Sequence, residues 1–375
     1  MTILWAAATF CAIATGAHMA STAVAILRCR WRERPHALPY AAPVSLVRPV
    51  CGLDNHVEET LASSFTLDHP DYEILFCVAS ARDPVVPLVE RLIAAHPRVR
   101  ARLLVGDDRI SPNPKLNNIV KGWNAASHDW IIIADSNVLM PRDYVGRLLD
   151  AWRPDTGLVC APPIGGQPDG LWAEIECAFL NTYQARWQYC ADTIGLGFAQ
   201  GKTMLWRREM LEAAGGIAAL ASELAEDAAA TKIVAQAGLR VRLVDAPFEQ
   251  PLGRRRAIDV WNRQVRWARL RRASFPLYFL PEIVSGALLP LIAAAVAAAS
   301  AGLPVAATLG AFAILWYGCE FLLSHLARWP LAALSPAAWM LRDLLLPVLF
   351  VDAWIGSDFV WRGHHMRIAD EERAA

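Results

Sequence analysis

The chain has 375 residues, a formal net charge of zero and 55% hydrophobic residues. This length is enough for one large domain or two small ones, and the balanced charge excludes the broad basic surface of a general nucleic-acid-binding protein. The eight cysteines form no CxxC pair and no cluster with histidine, which argues against a zinc site or a disulfide framework. The apolar residues are concentrated at the two ends of the chain.

An apolar segment opens the sequence. Residues 3–27 contain only His18 and small polar residues as exceptions, and they are long enough to cross a hydrocarbon core, which takes about 20 residues. Four arginines follow at once, namely Arg28, Arg30, Arg32 and Arg34. A signal peptide carries its charge before the apolar run, so residues 1–34 are predicted to be a membrane anchor whose C-terminal side faces the cytosol.

Residues 35–280 alternate short apolar runs with amphipathic stretches. The runs predict strands at Val44–Val50, Tyr72–Ala79, Arg100–Val105, Trp130–Asp135 and Gly157–Ala161. Helices are predicted between them, near residues 57–65, 85–96, 115–126 and 143–152. This alternation predicts an α/β domain with a parallel sheet covered on both faces. Asn55, followed three residues later by Glu58, predicts a capping box at the first helix.

Two aspartates follow predicted strands, where α/β folds bind their ligands. Asp135 begins an Asp-Ser-Asn sequence, and a carboxylate there suits Mg²⁺ or Mn²⁺ bridging a diphosphate. The alternative for Asp135 is a cap on the next turn. Asp83, in an Asp-Pro pair, suits hydrogen bonding to a nucleoside, and its alternative is ordinary turn chemistry.

Two further polar sequences open helices. Lys115 follows Asn113-Pro114, where a helix N-terminus favours anions, so phosphate binding and plain capping by Asn113 both fit. Glu226 and Asp227 lie together in an Ala-rich stretch. A displacement by a hydroxyl group needs one base to take its proton, and Asp227 is our candidate. The alternative is a pair of acids that complements the helix dipole.

An arginine-rich helix is predicted near residues 257–272. At helical spacing Arg263, Arg266 and Trp267 share one face. Two guanidinium groups suit a pyrophosphate, and tryptophan suits a membrane interface. The alternative is a basic interfacial helix without a chemical role, and both interpretations can hold together.

The segment Gly195–Thr203 looks like a P-loop but has the wrong spacing. A P-loop has four residues between its first glycine and its Gly-Lys pair, whereas Gly195 leaves five and Gly197 leaves three before Gly201-Lys202. The segment also follows a predicted helix. We therefore expect no nucleoside triphosphatase site there, but a loop of small residues that permits close approach of a substrate.

The C-terminal region, residues 281–375, is again apolar. Two predicted spans, Ile283–Ala301 and Val305–Leu326, are flanked by arginines that the positive-inside rule places in the cytosol. Residues 331–359 are divided by Arg342 and Asp343, and an interfacial or re-entrant hairpin is predicted there.

In this order and spacing, the motifs resemble those of ceramide glucosyltransferases and their bacterial relatives, within the inverting GT-A glycosyltransferases. The resemblance covers residues 44–272 and rests on Arg48-Pro49, Tyr72–Val78, Asp83-Pro84, Asn113–Asn118, Asp135-Ser136, Glu226-Asp227 and the Arg263–Trp267 motif. It implies a cytosolic GT-A domain on a multi-pass bacterial inner-membrane protein. It also implies that Asp83 binds the nucleotide, Asp135 the Mg or Mn ion, and that Asp227 is the catalytic base. The Arg-Trp motif would close over the diphosphate and the acceptor.

The chain departs from the superfamily pattern at two positions. Asn137 replaces the second acid of the usual Asp-x-Asp, and Arg263 stands where polysaccharide synthases carry glutamine. The resemblance implies transfer of one hexose from a UDP-sugar to a lipid hydroxyl with inversion, with UDP-glucose and ceramide the nearest match. Three alternatives stay open: a hopanoid transferase using UDP-N-acetylglucosamine, a processive polysaccharide synthase, and a lipid-binding scaffold. We expect no nucleic-acid partner and infer no obligate protein partner.

Overall fold

The computed structural model describes residues 2–30, 42–361 and 364–367. They form two compact units that interleave along the chain. The first contains described residues of 2–30, 168–190 and 254–367, and the second those of 42–167 and 191–253. The predicted arginines Arg32 and Arg34, and the predicted boundary beside them, lie outside the described residues.

The strands and helices are as follows. In chain order the strands are β1 (Val44–Pro49), β2 (Tyr72–Val78), β3 (Arg100–Val105), β4 (Trp130–Ala134), β5 (Thr156–Cys160), β6 (Pro163–Asp169), β7 (Thr203–Arg207), β8 (Arg240–Leu243), β9 (Phe248–Arg254), β10 (Asp358–Trp361) and β11 (His364–Arg367). The α-helices are α1 (Thr2–Arg30), α2 (Val57–Ala62), α3 (Val86–Ala95), α4 (Pro114–Ala125), α5 (Tyr144–Asp150), α6 (Leu171–Ala178), α7 (Arg186–Thr193), α8 (Arg208–Ala213), α9 (Glu226–Gln236), α10 (Ala257–Ser274), α11 (Pro276–Phe279), α12 (Leu288–Ser300), α13 (Val305–Ala327) and α14 (Ser335–Ile355). A π-helical segment, Phe179–Ala185, joins α6 to α7.

A seven-stranded sheet organises the second unit. Its order is β3-β2-β1-β4-β7-β5-β8. β1 pairs in parallel with β2 on one side and with β4 on the other, so the crossover direction reverses between β1 and β4. Ligands of open α/β sheets bind at such a reversal, beyond the carboxyl ends of the strands. A separate pair, β6 and β9, forms a small second sheet.

The predicted α/β class is confirmed, and each predicted strand and helix of this unit is present within one to three residues of its expected ends. The prediction of an all-parallel sheet was wrong, because β7 runs antiparallel to both of its neighbours, β4 and β5. The predicted capping box was also wrong. His56 precedes α2 in a left-handed conformation, and the Asn55 side chain donates instead to the Leu252 carbonyl at 2.9 Å.

Both faces of the sheet are covered by helices. One face packs with α2, α3 and α5 in a continuous apolar core that includes Leu46, Ile74 and Ile132, all fully buried. On the other face α4 lies so close to β1 and β2 that Gly122 has no room for a side chain. A Cβ there would lie 2.5 Å from Val47 and 2.6 Å from Cys77.

The first unit contains the apolar helices. α1 and α13 are each long and apolar enough to cross a membrane. The predicted span near residues 283–301 is a bent pair instead, in which Pro276–Val284 and α12 meet at 46° and together pass the same test. Helices α1, α12 and α13 pack on one another, with Phe312 and Trp316 in their shared core.

The prediction of a hairpin over residues 331–359 was wrong. The region forms one continuous helix, α14, and then begins the β10–β11 hairpin. Arg342 and Asp343 do not break the helix because their charges are satisfied inside the unit. The Arg342 guanidinium contacts both carboxylate oxygens of Glu320, at 2.7 and 3.0 Å, and Oδ1 of Asp343 at 2.8 Å. Thr182 donates to the same Glu320 carboxylate at 2.6 Å.

Candidate functional site

The loop after β4 is held by a buried arginine. Arg48, in β1, is completely buried and donates to the backbone oxygens of Asp135 at 2.9 Å and Val138 at 3.1 Å. A third hydrogen bond reaches the Thr60 carbonyl at 2.7 Å. Burial lowers the pKa of Arg48 to about 10, so the guanidinium stays charged at neutral pH. It therefore fixes the backbone of the loop that carries Asp135.

Asp135 lies between two lysines. Lys115, in the first turn of α4, is 2.6 Å from its Oδ1, and Lys202, just before β7, is 2.9 Å from its Oδ2. Burial alone would raise the pKa of Asp135, but the two ammonium charges outweigh it and hold that pKa well below its usual range. Asp135 is therefore a permanent negative charge at the reversal point of the sheet.

Lys115 also binds the acid pair of α9. Its ammonium lies 2.6 Å from Oε1 of Glu226, whose Oε2 accepts from the Asn113 side chain at 2.7 Å. Asn113 in turn caps α4 by accepting from the backbone N–H groups of Lys115 and Leu116. Glu226 is therefore committed to one lysine and one amide, and the capping of α4 by Asn113 is present.

Asp227 has a different environment from its neighbour. Its Oδ2 accepts from the Gly201 N–H and its Oδ1 from the Ala228 N–H, both at 3.0 Å. Burial, followed by the negative charge of Glu226, raises the pKa of Asp227 to about 6, and the charge of Lys115 limits that rise. When the environments of two adjacent carboxylates give them different pKa values, one can serve as a structural charge and the other as a proton acceptor. Asp227 is the one suited to accept a proton near neutral pH.

The Gly201-Lys202 pair connects these groups. The Gly201 N–H binds Asp227, its carbonyl accepts from the Lys115 ammonium at 2.6 Å, and a Cβ at this position would lie 2.8 Å from Oε1 of Glu226. The segment Gly195–Thr203 follows α7 and leads into β7, so it does follow a helix, as expected when the P-loop interpretation was rejected. The sequence interpretation nevertheless missed Lys202 as a site residue. The scarcity of lysine was the available signal, since only four occur in the chain.

Asp83 lies at the carboxyl end of β2, next along the sheet from β1. Its Oδ1 accepts from the backbone N–H groups of Gly52, after β1, and of Val85, both at 2.9 Å. The turn chemistry foreseen for Asp83 is therefore present. Because the carboxyl ends of parallel strands share one edge of the sheet, Asp83 lies at the same edge as Asp135.

Arg263, Arg266 and Trp267 belong to α10 of the first unit and share one face of it. Arg263 is bound to Glu176, a carboxylate that is only 1% exposed. Arg255 lies 3.7 Å from the other oxygen of Glu176. Arg263 therefore neutralises a buried acid, which the uncharged glutamine of polysaccharide synthases could not do. Arg266 and Trp267 are half-buried.

The oxygen ligands around Asp135 bear on the predicted metal. Among the described residues, no three acidic, histidine or cysteine side chains lie close enough together to hold a metal ion by themselves. Asp135 is one hard oxygen donor, and Asn137 is a second at the same loop. Both oxygens of Asp135 are paired with ammonium groups, so a divalent cation would have to displace one of them.

The profile of Glycosyl transferase family 21 matches residues 8–374. Two *Caenorhabditis elegans* proteins are similar over most of the chain. Ceramide glucosyltransferase 3 is 27% identical over 333 residues, which is 87% of this chain and 72% of the relative. Ceramide glucosyltransferase 1 is 25% identical over 363 residues, covering 94% and 77%. A ceramide glucosyltransferase of *Komagataella phaffii* is 41% identical over 117 residues, covering 30% of this chain and 23% of that one.

Two solved structures are similar over much of the chain. One is the mannosyltransferase PcManGT from *Pyrobaculum calidifontis* in complex with GDP-Man and Mn²⁺, with a TM-score of 0.49, 21% identity, and coverage of 90% of this chain and 98% of that one. The other is glucosyl-3-phosphoglycerate synthase from *Mycobacterium tuberculosis*, with a TM-score of 0.39, 16% identity, and coverage of 73% and 87%.

Proposed function

The chain belongs to glycosyl transferase family 21, and we propose that it transfers one hexose from a UDP-sugar to a lipid hydroxyl with inversion at the sugar. Glucose and ceramide are the proposed sugar and acceptor, because the relatives that cover most of the chain are ceramide glucosyltransferases. The observation that carries the proposal is the pairing of Asp135 and Glu226 with Lys115 at the carboxyl edge of the sheet, with Asp227 connected to Lys115 through the Gly201 backbone.

We propose that Asp227 is the catalytic base. In an inverting transfer the acceptor oxygen bonds to the anomeric carbon as the bond to the UDP oxygen breaks, and the acceptor's proton must leave. Asp227 is the acid of the cluster whose pKa is raised to about 6, and its two oxygens accept from the backbone N–H groups of Gly201 and Ala228. Such a group accepts a proton without being protonated beforehand at the working pH.

The donor is proposed to bind along the same edge of the sheet. The Lys115 ammonium is bound to Asp135, Glu226 and the Gly201 carbonyl, so it is proposed to act on the donor through its charge, beside the N-terminal turn of α4 where the helix dipole also favours an anion. Asp83 is proposed to face the nucleoside, beside the loop after β1. Arg266 and Trp267 are proposed to contact the diphosphate and the acceptor, whereas the Arg263 charge is committed to Glu176.

Binding of Mg²⁺ or Mn²⁺ at Asp135 stays a prediction from the sequence. In the observed arrangement the residues present do not fit a metal ion, because Lys115 and Lys202 are paired with the two carboxylate oxygens of Asp135. The steps proposed above therefore involve only side chains and backbone groups of the chain.

We also propose that the protein is a multi-pass bacterial inner-membrane enzyme with a cytosolic site. Helices α1 and α13 satisfy the length and hydropathy of a span, and the bent pair at α12 satisfies them jointly. Arg28 and Arg30 end α1, Arg271 and Arg272 precede the bent pair, and Arg328 follows α13. The positive-inside rule assigns all three flanks to the cytosol.

Product analysis by lipid mass spectrometry tests the proposal. The full-length protein in detergent receives ceramide and a hopanoid polyol together, with UDP-glucose, UDP-galactose and UDP-N-acetylglucosamine. We expect a hexosyl-ceramide. An N-acetylhexosaminyl hopanoid would retain the transferase but change the sugar and the lipid, and polymer without a lipid product would contradict single-sugar transfer.

The pH dependence of transfer should report the base. Because the pKa of Asp227 is raised to about 6, its basic form is lost as the pH falls through that value. We expect kcat/KM to be constant above about pH 7 and to fall about tenfold for each unit below pH 6. UDP binding at pH 5 is the control for intact protein. A profile that is flat down to pH 5 would contradict Asp227 as the base.

A further inference from the structure

Lys202 lies where the superfamily's Asp-x-Asp sequence would place a cation. Its ammonium is 2.9 Å from Oδ2 of Asp135 and 3.3 Å from Oδ1 of Asn137, and its side chain is 15% exposed. An ammonium ion between two oxygen ligands from one loop makes the same kind of contact as a hard metal ion there. Asn137 is the residue that replaces the motif's second acid.

The position of Lys202 is set by strand pairing. In the antiparallel β4–β7 pair, Thr203 lies opposite Ala134, and the Lys202 carbonyl accepts from the Asp135 N–H at 3.0 Å. Arg48 holds the other side of the same loop through the Asp135 and Val138 carbonyls. Lys202 and Asp135 are therefore brought together by the backbone of the sheet as well as by their charges.

The charges of Asp135, Asn137 and Lys202 sum to zero without a metal. Two carboxylates with a divalent cation sum to zero, and so do one carboxylate, one amide and one ammonium. Adding a divalent cation to Asp135 and Lys202 would leave an excess of two positive charges, and Lys115 lies on the opposite oxygen of the same carboxylate. The replacement of the second acid by Asn137 and the presence of Lys202 compensate each other.

We infer that Lys202 is the resident cation of this site: its ammonium takes the place of a divalent ion between Asp135 and Asn137, and donates hydrogen bonds to the diphosphate of the donor. The inference rests on the proposed function, since it concerns the same donor. It requires no covalent step by Lys202, because the ammonium only stabilises charge on the departing UDP oxygen. UDP should therefore bind, and the sugar should be transferred, when divalent metal has been removed.

UDP binding by isothermal titration calorimetry tests this inference, with EDTA and then with 1 mM Mn²⁺. We expect the wild type to bind UDP in EDTA with an affinity within about threefold of that in Mn²⁺. Lys202→Met should lose about tenfold or more in EDTA and recover part of it in Mn²⁺, because the position between the two oxygens is then vacant. Lys202→Arg should retain metal-independent binding. Lys232→Met, which removes a lysine paired with Glu223 elsewhere in the second unit, is the matched control and should leave UDP binding unchanged.

The outcomes separate this inference from the proposed function. If the wild type binds UDP only with Mn²⁺, the role of Lys202 is overturned and the proposed transferase function stands. The same conclusion follows if Lys202→Met binds UDP as tightly as the wild type in EDTA. Wild-type protein that binds no UDP under either condition would overturn both. A misfolded Lys202→Met protein would also lose UDP binding. Mn²⁺ binding by the wild type is therefore measured as well, by electron paramagnetic resonance without nucleotide. The wild type should bind no Mn²⁺ at this site, and Mn²⁺ bound there by the wild type would overturn the inference whether or not Lys202→Met folds.

Discussion

Asp227→Asn should lower the rate of lipid glycosylation by about 10²–10⁴-fold, the range for removal of a general base, while UDP binding changes little. Asparagine has nearly the same shape as aspartate and keeps an oxygen for the Gly201 or the Ala228 N–H. The pairing of Lys115 with Glu226 and Asp135 involves no atom of Asp227 and should persist. The measurement is kcat for hexosyl-ceramide formation beside the calorimetric Kd for UDP.

Glu226→Gln is the informative comparison for that variant. It removes the carboxylate charge from Lys115 and leaves the Asp227 side chain in place, so we expect it to change donor affinity more than kcat at neutral pH. It should also lower the pKa of Asp227, because the adjacent negative charge is gone. Asp143→Asn, at a carboxylate that is 57% exposed, should leave both quantities unchanged. Near-normal glycosylation by Asp227→Asn would show that another group accepts the proton. A loss of UDP binding in that variant would show that Asp227 holds the donor instead.

Arg342→Met should destabilise the protein by about 3–5 kcal/mol, the usual cost of removing one partner from a buried ion pair. The guanidinium is 1% exposed and contacts Glu320, Asp343 and the hydroxyl of Thr182. Methionine fills a similar volume but leaves the Glu320 carboxylate, which is completely buried, without its counter-charge, and the hydrogen bond from the Thr182 hydroxyl does not replace it. The free energy of unfolding in detergent, from a denaturant titration, measures the effect.

Two companion variants distinguish charge from packing. The Arg256–Asp259 pair is on the surface of the same unit, with Arg256 79% exposed, so Arg256→Met should leave the free energy of unfolding almost unchanged. Adding Glu320→Gln to Arg342→Met should restore part of the lost stability, because the buried negative charge disappears with its partner. If the double variant is less stable than Arg342→Met alone, loss of packing and not an uncompensated charge is the cause.

The acids of the site could be predicted because local sequence determines them. Asp135 directly follows the apolar run of β4, and a parallel strand places its carboxyl end at the ligand edge. Asp227 was a candidate from the residues alone, but an acidic pair at a helix start is common, so helix-dipole compensation stayed an open alternative until the resemblance favoured a base. Its distinction from Glu226 depends on which carboxylate Lys115 reaches, and that contact spans more than 100 residues of chain.

Lys202 was missed for a different reason. The sequence gives no sign that β7 runs antiparallel, because the residues Thr203–Arg207 fit either direction equally well. Because β7 is antiparallel to β4, the residues just before β7 lie at the edge of the sheet beside Asp135, and the residues just after β7 lie at the opposite edge. The Asn55–Glu58 pattern failed similarly, since the Asn55 side chain bonds to Leu252, 197 residues away, in preference to its own helix.

The contact between Glu320 and Arg342 also affects how the protein folds during its synthesis. Glu320 lies within α13 and is synthesised 22 residues before the guanidinium that contacts it. At about 5–20 residues per second, the ribosome takes roughly one to four seconds to make that interval. A lone glutamate in hydrocarbon is costly during this interval, and the cost falls only when α14 has been made. The final packing of α13 should therefore wait until α14 has been made and Arg342 neutralises Glu320.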